Sequence, residues 1–73
     1  MKKLSAEPDV CKYTKRIIDS KGLKQKSVAI KAGYTEQQFS NLLNGRKIFS
    51  AYDVLRIANA LDVMPNDLFG LSS

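Results

Sequence analysis

Apolar residues along this chain recur at spacings of three and four, and β-branched residues never alternate in the period-2 manner of a strand. That pattern predicts an all-α chain. A first helix is expected over residues 8–21. Pro8 suits its opening turn, where an N–H would lack a partner anyway. Val10, Tyr13, Ile17 and Ile18 form its apolar stripe, Lys12, Lys15 and Arg16 lie off it, and Gly22 supplies the stop. A second helix is expected from residue 24 or 25 to residue 32, with Leu23, Val28, Ala29 and Ala32 turned inward and Gly33 closing it. Thr35 and Gln38 make a T-x-x-Q capping box that opens a third helix. Phe39, Leu42 and Leu43 give that helix its buried edge, and Asn44-Gly45 ends it. Ser50 is a good N-cap for a fourth helix, with Val54, Leu55, Ala58 and Leu61 as its apolar face. A short fifth helix over residues 65–69 packs through Val63, Leu68 and Phe69.

The second and third helices are separated by about three residues that include Gly33, which is helix-turn-helix spacing. At about 100° per residue, Gln37, Asn41 and Asn44 fall nearly opposite the apolar edge of the third helix, with Gln38 and Ser40 on its flanks. Neutral amides are poor solubilisers but donate and accept hydrogen bonds. Gln and Asn can bond an adenine edge twice, and Ser fits either kind of base group. The cations lie mainly outside this helix, at Lys24, Lys26, Lys31, Arg46 and Lys47. Charge outside and neutral polar groups inside is the division between positioning on phosphate and discriminating among bases.

Three of these residues have a second, ordinary reading. Glu36 in the first helical turn is favoured by the helix dipole; alternatively it accepts from a cytosine amine. Gln25 either pins a phosphate at the start of the second helix or is a plain polar first-turn residue. Asn44 is first a helix stop and second a phosphate contact.

Composition narrows the function classes. The 73 residues carry 12 Lys and Arg against 7 Asp and Glu, a formal charge of +5 and a pI near 9.6. The positive field favours a polyanionic partner. With one cysteine (Cys11) and no histidine, neither an intrachain disulfide nor a metal centre is expected, and Cys11 reads as a packing residue in a reducing compartment. A domain this small buries only about 60% of its unfolded surface, so apolar packing alone must hold it. No apolar run approaches the roughly 20 residues that span a bilayer, and the Met1–Val10 stretch lacks the apolar core of a signal peptide. A soluble, cytoplasmic protein without cofactor is expected. No catalytic constellation is visible, so an enzyme is not expected.

The run GLKQKSVAIKAGYTEQQFSNLLNGRK, followed by SAYDVLRIANALDVMPNDLFG, resembles the Cro/repressor-type (Xre-type) helix-turn-helix DNA-binding domains. Its most specific parts are G-L-x-Q at Gly22 to Gln25, A-G-x-T at Ala32 to Thr35, N-G-R-K at Asn44 to Lys47, and L-x-x-A-x-x-L at Leu55, Ala58 and Leu61. The resemblance implies a compact five-helix, lambda-repressor-like domain over residues 10–70, with an N-terminal extension at 1–9 and a tail at 71–73. It implies base readout by Glu36, Gln37 and Asn41, with Gln38 and Ser40 beside them. It places Lys24, Gln25, Thr35, Asn44, Arg46 and Lys47 on phosphate. Members of the family usually cap the second helix with Ser or Thr where this chain has Lys24. Many carry an Arg–Glu pair where this chain has Ile18 and Leu43.

The expected function is therefore a sequence-specific regulator of the phage or bacterial repressor type that binds double-stranded DNA. A homodimer on a palindromic operator would use Phe69, Leu71 and the surface of the fourth and fifth helices. The alternative is a protein-interaction or antitoxin-like module on the same fold, supported by Glu36 and by Tyr34, Phe49 and Tyr52 as exposed aromatics.

Overall fold

The computed structural model describes residues 10–70, which form five helices and no strand: α1 (Val10–Ser20), α2 (Gln25–Ala32), α3 (Glu36–Leu43), α4 (Ala51–Leu61) and α5 (Pro65–Leu68). Pro8 and Leu71, the extension at 1–9 and the tail at 71–73 lie outside the described residues. None of the described helices is long and apolar enough to cross a membrane.

Local chemistry fixes most of the helix ends. Thr35 Oγ1 accepts from the Gln38 N–H at 3.0 Å while Gln38 Oε1 accepts from the Thr35 N–H at 2.9 Å. Ser50 and Asp53 repeat this capping box at the start of α4, at 3.0 and 3.1 Å. Lys24 gives α2 no side-chain cap. At the other ends, Gly22, Gly33 and Gly45 each close a helix in the left-handed region. Their bonds are those of the Schellman motif, as in Gly33 N–H to Ile30 O at 3.0 Å and Tyr34 N–H to Ala29 O at 2.9 Å. Helix α4 ends the same way on Asp62 at φ 60°, a position where glycine is the usual choice.

Packing joins α2 to α3 and α4, α4 to α5, and α1 to α3 and α5. Ile18, Val28, Ala29, Phe39, Leu42, Leu43, Val54, Ile57, Leu61 and Leu68 are buried in one core. Ile18 and Leu43 are both in it, so the two positions are filled by aliphatic packing.

Several expected inward positions differ. Leu23 is 41% exposed, because it lies in the linker after Gly22 and its N–H closes α1 on Ile18 O. Leu55 is 55% exposed, and Ile57 takes its place in the core. The α4 stripe is Val54, Ile57, Ala58 and Leu61, spaced i, i+3, i+4, i+7. In α1 the fully covered residues are Thr14 and Ile18, while Val10, Tyr13 and Ile17 are half-buried. Tyr34 and Phe49 are half-buried as well, so only Tyr52 of the three aromatics is widely exposed.

Candidate nucleic-acid interface

Helix α3 has two unlike edges. Phe39, Leu42 and Leu43 are buried, and Gln37 lies exposed on the far side with Asn41 half-buried beside it. Gln37 Nε2 donates to Asn41 Oδ1 at 3.1 Å, and Asn44 Nδ2 donates to Ser40 Oγ at 3.2 Å. Both bonds span one helical turn and hold four polar side chains in two ladders. The pairing leaves Gln37 Oε1 as an acceptor and the Asn41 NH2 as a donor towards solvent. Gln38 is exposed, with one lone pair of its Oε1 engaged in the cap of α3. Glu36 is exposed in the first turn, one residue after the N-cap, where the helix dipole favours a carboxylate.

The residues expected on phosphate lie at three helix ends. Lys24 and Gln25 begin α2, Thr35 caps α3, and Asn44, Arg46 and Lys47 follow its C-terminus. All six are exposed. No group of three or more His, Cys, Asp and Glu among the described residues could hold a metal ion. Cys11 is half-buried and its Sγ–H donates to Leu42 O at 3.1 Å, a packing role against the back of α3.

A polar cluster that sequence reasoning did not single out supports the turn between α2 and α3. Arg56 of α4 donates from Nε to Ala32 O at 3.0 Å and from Nη2 to Gly33 O at 2.7 Å. Its guanidinium lies 4.2 Å from the Tyr34 ring centre and 5.5 Å from that of Tyr52. The Tyr34 ring stacks on Phe39 at 5.9 Å. The Tyr34 hydroxyl donates to Asp53 Oδ1 at 2.5 Å, and Asp53 Oδ2 accepts from the Ser50 N–H and hydroxyl, each at 3.0 Å. Burial, followed by this bond and the nearby carboxylate charge, pushes the Tyr34 hydroxyl well above the usual phenol range. For Asp53 burial works upward, but the bonds from Tyr34 and Ser50 and the charge of Lys47 outweigh it and hold the carboxyl below its ordinary value. At neutral pH Tyr34 is thus a protonated donor and Asp53 an ionised acceptor.

Gly33 is where this cluster needs a missing side chain. Its φ is 88°, and a Cβ there would lie 2.5 Å from Arg56 Nη2. The left-handed turn favours glycine, and a side chain there would push the guanidinium off its two carbonyls.

The chain superimposes on the high-resolution crystal structure of the restriction-modification controller protein C.AhdI from Aeromonas hydrophila with a TM-score of 0.77. The match covers 84% of this chain and 92% of that one at 24% identity, a likeness of fold. No curated protein sequence matches the chain. Residues 15–72 match the model of the Cro/C1-type helix-turn-helix DNA-binding domain, which takes in α2, the turn, α3 and the polar cluster beneath them. On that match and on the two-edged helix that follows the Gly33 turn, the chain belongs to the Cro/C1-type helix-turn-helix DNA-binding domain family.

Proposed function

We propose that this DNA-binding regulator reads duplex sequence by seating α3 in the major groove. The observation that carries the reading is the Gln37–Asn41 edge, outward-facing and opposite the buried Phe39, Leu42 and Leu43. Gln37 and Asn41 meet base edges, with Ser40 and Gln38 beside them and Glu36 at the margin. Lys24, Gln25, Thr35, Asn44, Arg46 and Lys47 hold the sugar-phosphate backbone. The uncapped first turn of α2 fits this division, since its free N–H groups suit a phosphate oxygen. Repression follows where the bound site overlaps a promoter.

Two copies on a palindromic operator, about one helical turn apart, complete the proposal. Leu55 and Met64, both exposed on the α4–α5 side, extend the surface available to a second copy, whereas Phe69 is half-buried against the core.

Selection of bound duplexes from a random pool, followed by binding at several salt concentrations, tests the reading. Enrichment of one motif, with affinity falling steeply as salt rises, is expected. Enrichment of no motif, or an affinity flat in salt, would overturn it and favour the protein-interaction or antitoxin-like module.

A further inference from the structure

The N-terminal flank of α3 is tied to α4 through a few side-chain atoms. Arg56 holds the carbonyls of Ala32 and Gly33, and Asp53 holds the hydroxyl of Tyr34. Three consecutive residues, the last of α2 and the first two of the turn, are therefore bonded to α4. Ser50, the N-cap of α4, gives its N–H and hydroxyl to the other oxygen of the same Asp53 carboxylate, so the group that holds Tyr34 is itself held. Asp53 thus joins the residue before the cap of α3 to the capping box of α4.

Resting on the base-reading role of α3, we infer that Tyr34, Asp53 and Arg56 are positioning residues that set the pose of α3 against the bases without touching DNA themselves. The chemistry suits a rigid hold. The Tyr34–Asp53 bond joins a hydroxyl to a carboxylate, the shorter and stronger kind. The Arg56 fork is planar and meets two carbonyls at once, a geometry that a lysine cannot copy. Stacking of Tyr34 on Phe39 carries the hold into the buried edge of α3. Base readout needs such rigidity because a bidentate contact depends on distance and angle, whereas a phosphate contact tolerates a shift.

The test uses the full chain, the duplex selected from the random pool and an unrelated duplex. Tyr34→Phe removes one hydroxyl and Arg56→Lys keeps the charge but loses the fork. Each variant is expected to keep the parent's helical circular dichroism. Each is expected to lose about tenfold in affinity for the selected duplex, the order of one misaligned base contact. Affinity for the unrelated duplex and the salt slope should be unchanged. Tyr34→Phe combined with Gln37→Ala should cost less discrimination than the sum of the two, since one acts through the other. Full discrimination in both single variants overturns the inference. So does an equal loss on both duplexes with a shallower salt slope, which would make these residues phosphate contacts. If the parent itself shows no preference between the duplexes, the base-reading proposal is what fails.

Discussion

The Gln37 side chain donates to Asn41 Oδ1 at 3.1 Å across one turn of α3, so the two amides present a joint surface rather than two separate ones. Gln37→Ala or Asn41→Ala is expected to reduce discrimination between the preferred and a mismatched duplex by about 1–3 kcal/mol. The two losses should not add, because each substitution also frees the partner amide. Competition binding on the selected duplex and its single-base variants measures both quantities. Parental discrimination in both variants would count against the role given to this edge.

Lys47 and Arg46 lie on the exposed loop after α3. Lys47→Ala should lower affinity by a similar factor on every duplex and reduce the salt slope by about 1. Arg46→Ala should behave likewise. An effect of either substitution confined to one base position would contradict a phosphate role.

Thr14 is fully covered and its Oγ1 has no hydrogen-bond partner among the described residues. A valine of nearly the same shape removes the desolvated hydroxyl. Thr14→Val should therefore stabilise the fold by about 1 kcal/mol, read as a higher urea midpoint at unchanged slope. A lower midpoint would show that the hydroxyl is satisfied in solution.

Acid should act on the fold through Asp53. Its folded carboxyl titrates below the ordinary value of 3.8, so the stability it contributes is present above pH 3.8 and is lost as pH falls through the lower, folded value. Tyr34 has the opposite sign. Its contribution is complete below the ordinary phenol value of 10.0 and is lost on going more alkaline than that. Thermal melts of the parent and Asp53→Asn should differ at neutral pH and converge in acid below pH 3.8. A difference that persists undiminished into strong acid would remove the carboxylate from this account.

Much of the fold was legible because its signals are local. Thr35 with Gln38, and the glycines at 22, 33 and 45, act within one or two turns, and the helices end where those residues stand. The outer edge of α3 was legible from the wheel for the same reason. Leu55 was misread because an apolar residue beside a stripe looks like part of it; the spacing of Val54 and Ile57 held the answer. The hold on the turn was not legible. Arg56 and Ala32 are 24 positions apart and Tyr34 and Asp53 are 19 apart, so only the packing of α4 against α2 brings them together.

The polar bonds of the outer edge run between Thr35 and Gln38, Gln37 and Asn41, and Ser40 and Asn44, all within one short helix and its caps. If the proposed base-reading role holds, side chains at 37 and 41 can be exchanged as a cassette while Phe39, Leu42 and Leu43 keep the scaffold intact. On the proposed reading, grafting new residues at 37 and 41 should change the preferred duplex without redesigning the body that carries them.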